Sequence, residues 1–256
     1  MPVEFLSDVQ SERYGRFTGE PTLEQLARYF HFDDYDLERI SQHRGDHNRL
    51  GFALQLGTVR FLGTFLPNPI DVPSGVLSYV SYQLGITQAA CLPRYMERKQ
   101  THHAHSAEIQ QVYQYSEFHE WRWRFRLSRW LYTRTWLSNE RPSHLFDLAT
   151  DWLIRRKVLL PGISTLARLI AQVRDRAALR AWQRLANLPN EDQRRQLETL
   201  LHVPEGRRRS RFDQLRQGPR RVSSTSMIAA LDRYEALREL GMRELDCSRI
   251  PPVWAQ

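Results

Sequence analysis

The chain has 256 residues with 37 Lys/Arg against 29 Asp/Glu, a net charge of +8, and is long enough to bury one large core or two smaller ones. Cys91 and Cys247 are its two cysteines; they fit no metal-ligand or redox pair, so the sequence reads as a reduced, intracellular protein. Acidic Glu4, Asp8 and Glu12 stand where a signal peptide carries a basic and then an apolar run, and no stretch approaches about 18 consecutive apolar residues, so neither a signal peptide nor a membrane span is expected.

Thr22-x-x-Gln25 after Pro21 has the pattern of a capping box, and Leu23, Leu26, Ala27 and Phe30 form one apolar stripe, which predicts a first helix. Asp33-x-x-Asp36 opens a second helix through Leu37 and Ile40. The turn falls at Arg44-Gly45, and Asp46 is expected to cap a third helix with Leu50, Ala53, Leu54, Gly57 and Phe61 inward. His47, Asn48 and Arg49 then stand at its exposed first turn. Helix-turn-helix proteins present side chains there that bond adenine and guanine edges.

Leu62 to Pro73 is a Gly/Pro-punctuated loop, Val76 to Leu84 resumes helix until Gly85, and Thr87 to Arg98 and His105 to Tyr115 predict two further short helices. The first, charge-poor unit ends near Tyr115: residues 1–115 carry a net charge of −3, residues 116–221 one of +12 and residues 222–256 one of −1. That segregation points to a polyanion or an acidic partner more than to a small-molecule substrate. The cations comprise 35 Arg and two Lys. The guanidinium fork suits phosphate and guanine, and a codon usage rich in Arg accounts for the same excess.

Phe118 to Leu137 places four Trp among five Arg. The alternation Trp121-Arg122-Trp123-Arg124-Phe125-Arg126 suits a strand but fails beyond it. As a helix, Phe118, Trp121, Phe125 and Tyr132 follow one face and Trp123, Leu127, Trp130 and Leu131 a second. The helix is preferred, its aromatics serving as core in preference to base stacking, with Arg122, Arg124, Arg126 and Arg129 reaching out to solvent or phosphate.

Ser143 is expected to cap a helix through Lys157, with Leu145, Leu148, Trp152 and Leu153 inward and Arg155, Arg156 and Lys157 in a last turn where cations suit the helix dipole. Leu160-Pro161-Gly162 is a tight turn, and Ser164 caps a helix carrying Leu166, Leu169, Ile170 and Val173. This is a second helix-turn-helix candidate whose front shows Thr165 and Arg168, with Arg155 and Arg156 nearby on the preceding helix; an ordinary helical hairpin has the same pattern. Helices follow at Arg174 to Leu185 and Glu191 to Leu201. The block Arg207-Arg208-Arg209-Ser210-Arg211 has the composition of a phosphate-tracking linker and equally of a solvated loop. Ile228, Leu231, Tyr234, Leu237 and Leu240 mark a last amphipathic helix before Pro251-Pro252.

No reaction centre assembles from these residues. His102, His103 and His105 with Glu108 have zinc-ligand chemistry but no standard spacing, and Asp33, Asp34 and Asp36 are expected at a helix start for dipole reasons. There is no Gly-rich phosphate loop and no Ser or Cys nucleophile in a recognisable setting. No cofactor is expected.

Phe5-Leu6-Ser7, Arg44-Gly45-Asp46 with Asn48 to Leu56, Gln83-Leu84-Gly85, and Leu160-Pro161-Gly162 followed by Thr165-Leu166 resemble the N-terminal region of the Tn-three family of replicative transposases. Ser224 to Met242 and Asp246 to Pro252 resemble the segment that follows it, so the likeness covers nearly the whole chain. The resemblance implies recognition without chemistry. The family's metal-bound acidic catalytic residues belong to a ribonuclease-H-like domain far towards the C-terminus, and this sequence, stopping at Gln256, reads as an isolated N-terminal fragment or a truncated reading frame. It further implies double-stranded DNA at the transposon's terminal inverted repeats as the target of two tandem readers. The protein would be cytoplasmic, bacterial and nucleoid-associated, with a homodimer formed through the C-terminal region and no membrane or small-molecule partner.

The expectation is therefore an all-α protein of tandem helix-turn-helix-containing units. Residues 1–115 form a first helical DNA-binding unit, residues 116–185 a second, and residues 186–256 a basic linker and the start of a helical dimerisation region. Arg44, His47, Asn48 and Arg49 are the first base readers expected, and Thr165 and Arg168 the second, with Ser164 a DNA-contacting residue at the same helix start. Arg122, Arg126, Arg155, Arg156, Lys157, Arg207, Arg208, Arg209 and Arg211 hold phosphates, which position the protein while base contacts specify the sequence. From the residues alone, the alternative is an Arg-rich helical interaction module that binds RNA or an acidic protein.

Overall fold

A computed structural model describes residues 5–138, 140–203, 205–206, 208–216, 223–239, 248, 250–251 and 254. The described residues are all-α, as expected, and an isolated parallel bridge between Ser116 and Val158 is the extended pairing among them. They divide into two compact units, Met1–Thr135 with Asn139–Arg174, and Trp136–Ser138 with Asp175–Gln256. The expected division at residue 115 falls inside the first unit, between its two hydrophobic cores, and the one at residue 185 falls inside the second.

The first core is built around one helix. Helices α1 (Asp8–Arg13), α2 (Leu23–Tyr29) and α3 (Asp34–Ser41) precede α4 (Asp46–Leu62), which is followed by α5 (Ser74–Gln83), a 3₁₀ segment (Ala89–Met96) and α6 (Lys99–Val112). The boxes read from the sequence are present: Thr22 and Gln25 cap α2 reciprocally, and Asp33 and Asp36 cap α3. Helix α4 is buried on every side from Leu50 to Val59, packed by α2, α3, α5, the 3₁₀ segment and α6. A helix apolar all round belongs in a core. This corrects the picture of a one-sided recognition helix: the first turn of α4 reaches the surface, Arg60 and Phe61 in its last turn do so in part, and the stretch between them is covered.

Two glycines let neighbours close on this helix. A Cβ on Gly51 would stand 2.5 Å from the Tyr95 ring, and one on Gly57 would overlap the Phe30 ring. The N-terminal cap is also corrected. Gly45, at φ 81°, is the N-cap and Asp46 the first helical residue, because the chain enters α4 through a conformation open to glycine.

Two other expectations around this core shift. The short helix expected over residues 87–98 is the 3₁₀ segment, since Pro93 inside it lacks the N–H that an α-helix would use. The helix expected from His105 begins at Lys99, so His102, His103 and His105 lie within about one turn of α6 instead of His102 and His103 falling in a preceding polar turn.

The second core joins α7 (Trp121–Leu137), α8 (Pro142–Ile154) and the front of α9 (Ile163–Ala186). Leu127, Leu131, Leu145, Phe146, Leu153, Leu166 and Ile170 fill it. Phe5, Leu6 and Tyr14 also pack here, so the N-terminal segment belongs to this core although it precedes the first core in the chain. Gln10 Nε2 donates to both oxygens of Asp147 at 3.1 and 3.0 Å, and Tyr14 Oη to the Pro161 carbonyl at 2.8 Å.

Helix is the right reading of residues 121–137, but one expected face is only half inward: Phe118 and Tyr132 pack on the second core, while Trp121 and Phe125 are 79% and 57% exposed, because the buried stripe runs through Leu127, Leu131 and Thr135. Neither expected serine cap is used. Arg141 precedes α8 with Pro142 at its first turn, a position suited to proline, and α9 starts at Ile163 with Thr165 N and Leu166 N donating to the Gly162 carbonyl. Helix α8 ends at Ile154, so Arg155, Arg156 and Lys157 form the turn beyond it, with Lys157 at φ 52°. Helix α9 also runs unbroken past residue 174, where two helices were expected.

The second unit contains the rear of α9, α10 (Glu191–Leu201), α11 (Arg211–Leu215) and α12 (Ser224–Glu239). Asn190 and Gln193 form the cap that opens α10. The Trp136 and Trp254 rings lie 6.2 Å apart, and Trp254 Nε1 donates to the Trp136 carbonyl at 3.1 Å. On α12, the stripe of Ile228, Leu231, Tyr234 and Leu237 is exposed. Leu240, Cys247 and Pro252 lie outside the described residues.

Candidate nucleic-acid interface

The turn between α3 and α4 spans Gln42 to Gly45, the length a helix-turn-helix uses. Arg44 is exposed on it, and its carbonyl accepts Asn48 Nδ2 at 2.8 Å. That bond orients the Asn48 amide and leaves its Oδ1 and second N–H for another partner. His47, Asn48 and Arg49 are half-buried, and the Arg49 guanidinium donates to Asp46 one turn back. The first candidate readers are thus gathered on one helical turn, with Arg49 already engaged.

A polar cleft of about 500 Å³ opens beside that turn. His47 and Asn48 line one side; Arg94 from the 3₁₀ segment, Glu97 and Arg98 at its junction with α6, and Thr101 in the first turn of α6 line the other, with Tyr95 completing it. Tyr95 is held from beneath. Its Oη accepts Gln55 Nε2 at 2.6 Å and lies 2.9 Å from His105 Nδ1, and Gln55 Nε2 also donates to the His102 carbonyl at 3.1 Å.

The His43 and His105 rings are 4.3 Å apart, and His43 Nε2 is 3.8 Å from a Glu108 carboxylate oxygen. Burial lowers the His105 pKa to about 4, the charges of His43 and His102 adding to the effect, and burial also lowers that of His43. His43 and His105 therefore support the cleft as core material that burial keeps from taking up protons. Among the described residues, no three His, Cys, Asp or Glu side chains group to hold a metal ion.

The second front is α9. Its turn from α8, Arg155 to Gly162, is eight residues, longer than the three- to four-residue helix-turn-helix connection. Ser164, Thr165 and Arg168 are exposed as expected, while Leu166, Ala167, Leu169 and Ile170 are buried. Gln172 continues the exposed stripe one turn on. The sequence reading missed it, although its spacing of four from Arg168 placed it there.

The structure brings several expected phosphate holders together on tryptophan. Arg122 and Arg126 lie over the Trp123 ring at 4.8 and 5.3 Å, and Arg156 lies over Trp152 at 4.1 Å. The two indoles meet edge to face at 6.3 Å, and Trp130 lies 6.1 Å from Trp152 with Arg134 over it. Stacking fixes a guanidinium plane while its N–H edge stays available for hydrogen bonds.

The remaining cations are dispersed. Arg155 pairs with Asp151 at 2.8 Å, and Lys157 Nζ donates to the Tyr113 carbonyl at 3.4 Å. Arg208, Arg209 and Arg211 are exposed in the second unit, and Arg207 lies outside the described residues.

These features define an all-α protein whose helix fronts and turns carry arginine, with exposed Thr165 and Gln172 and half-buried Asn48 among them. The chain belongs to the family described as "Domain of unknown function (DUF4158)", whose model matches residues 5–173. It is 51% identical to the transposase for transposon gamma-delta of Escherichia coli (strain K12), an alignment covering 99% of this chain and 25% of that one. Its identity to the transposase for transposon Tn1546 of Enterococcus faecium is 28%, covering 88% and 23% of the two chains. Identity to that of Tn501 of Pseudomonas aeruginosa is 30%, covering 87% and 22%. The resemblance to the N-terminal region of Tn-three family transposases therefore holds, and the chain spans about a quarter of the length of the curated relatives it matches. These relatives give no support to the reading as an RNA- or acidic-protein-binding module. No helix among the described residues is long and apolar enough to cross a membrane.

Proposed function

We propose that this chain binds double-stranded DNA at a transposon's terminal inverted repeats, as the end-recognition part of a Tn-three family transposase. The observation that carries the reading is the alignment along 99% of the chain with a transposase. The basic fronts of α4 and α9 and the tryptophan-stacked arginines support it physically. Asn48 with Arg44 and His47, and Arg168 with Thr165 and Ser164, meet base edges. Arg122, Arg126, Arg155, Arg156, Lys157, Arg208, Arg209 and Arg211 hold phosphates, and so does Arg207. Contacts of the first kind specify sequence and those of the second fix register.

In this reading the chain performs no strand cleavage, needs no cofactor and works on the nucleoid. The coverage of about a quarter of each relative fits a recognition part separate from the chemistry. The same reading includes a homodimer through the C-terminal region, for which Ile228, Leu231, Tyr234 and Leu237 of α12 offer an exposed apolar stripe.

The test is a fluorescence-anisotropy titration across salt concentrations, against the terminal repeat from the gene's own neighbourhood and a scrambled duplex of equal length. If about six to ten phosphates are neutralised, affinity falls by about 10³- to 10⁵-fold between low and physiological salt. Preference for the repeat by two or more orders of magnitude is expected. Equal binding to both duplexes would overturn end recognition, and a salt slope near zero would overturn DNA binding altogether.

A further inference from the structure

The cleft beside the first turn of α4 carries chemistry that the reader residues leave unused. Arg94 and Arg98 project from the 3₁₀ segment and its junction with α6; both are exposed, and neither forms an ion pair among the described residues. Glu97 is the carboxylate in the lining, so the cleft keeps a positive balance. Its walls include the first turns of two long helices, α4 through His47 and Asn48 and α6 through Arg98 and Thr101, and neither N-terminus has a side-chain cap. Helix starts add positive potential to that of the guanidiniums.

The cleft is also rigidly based. Tyr95 is 1% exposed, bonded to Gln55 and His105 and pressed onto Gly51, which fixes the 3₁₀ segment against α4. Arg94 and Arg98 thereby face the same opening as Asn48, a residue 46 and 50 positions away in sequence.

We propose that this cleft seats a backbone phosphate of the bound duplex, with Arg94 and Arg98 as its ligands, next to the bases that the first turn of α4 meets. The proposal rests on the DNA-binding reading above and adds a phosphate site formed by a segment that the sequence marked only as a short helix. Its occupant is a phosphodiester, because two forked donors beside a helix start suit a tetrahedral oxyanion. The site's role is to set the register in which Asn48 reads.

The experiment compares the parent chain with Arg94→Ala, Arg98→Ala, the double variant, the pair Arg94→Lys with Arg98→Lys, and Asn48→Ala. Each is titrated across salt against the repeat and the scrambled duplex, with thermal melts as the folding check. Each alanine should weaken both duplexes by the same factor, about five- to tenfold at moderate salt, and lower the salt slope by about one. The lysine pair should retain most of the slope, and Asn48→Ala should act on the repeat alone.

A folded double alanine variant with parental affinity and slope would overturn the phosphate site and leave end recognition standing. A loss confined to the repeat would overturn it too, making these residues base readers. If the double alanine variant melts early, the lysine pair decides, since loss of slope there overturns the site. A parent that binds both duplexes equally overturns end recognition while the slope differences still report on the cleft.

Discussion

Gly51 lies directly beneath the ring of Tyr95: a Cβ at that position would be 2.5 Å from the ring's Cγ and Cδ1. A glycine inside a helix costs about 1 kcal/mol against alanine, and here the missing methyl group is what lets the 3₁₀ segment rest on α4. Gly51→Ala should therefore destabilise the fold by about 1–3 kcal/mol through overpacking, despite its better helix propensity. A urea midpoint measures this. A raised midpoint would mean that the Tyr95 ring gives way without cost.

Asp36 is 2% exposed and carries a concentrated load of hydrogen bonds. Its two carboxylate oxygens accept Arg60 Nη1 and Nη2, each at 2.8 Å, and Tyr113 Oη donates to one of them at 2.8 Å. Arg60→Ala leaves that carboxylate buried without its cation and should cost about 3–5 kcal/mol. Tyr113→Phe removes one donor and should cost less, about 1–2 kcal/mol. Denaturant unfolding of both variants checks the order; a loss below about 1 kcal/mol for Arg60→Ala would put this pair among weak, exposed ones.

Stability should fall as pH drops through the histidine range. Burial holds the His105 pKa down at about 4 and that of His43 below its ordinary value. The unfolded chain takes up protons near about pH 6.5 while the native fold resists them. The stabilisation is complete above that pH and is lost as pH falls from about 6.5 towards 4. A loss on the order of 2 kcal/mol is expected over this window. His105→Gln, which can still bond Tyr95, should flatten it. Unfolding midpoints at several pH values provide the measurement, and a stability that rises on acidification would contradict the assignment.

Both helix fronts should discriminate the terminal repeat from random duplex, whereas the stacked arginines should act on both alike. Asn48→Ala and Arg168→Ala should each cost about 1–3 kcal/mol on the terminal repeat and little on random duplex. Arg156→Lys keeps the charge but gives up the stacking on Trp152, so it should leave the salt slope intact. Anisotropy titrations on both duplexes decide. Equal losses on the two duplexes would remove Asn48 or Arg168 from the readers.

The sequence by itself determined the parts that depend on neighbours a few residues apart. Capping pairs such as Thr22 with Gln25 act over three residues, and the periods of α2, α3 and α4 are visible because side chains one helical turn apart share a face. The family resemblance was legible for a similar reason: the run Arg44 to Leu56 is contiguous. Its meaning was not. Gly51 and Gly57 are small because the Tyr95 and Phe30 rings close on them, and no local pattern announces a neighbour 44 or 27 residues distant.

Tertiary structure alone decided which faces meet water and which distant groups share a site. An apolar stripe is equally helical whether one side or all sides are covered, so only the packing around α4 showed that, beyond its first turn, the helix is covered on every side from Leu50 to Val59. Trp121 and Trp123 have the same local chemistry, yet Trp121 faces solvent while Trp123 packs on the second core and carries Arg122 and Arg126 on its ring. The N-terminal segment's place on that core, and the meeting of Arg94, Arg98 and Asn48 in one cleft, arise from long-range chain closure. Burial and charge clustering are sums over the whole fold, and they exist only once distant segments have come together.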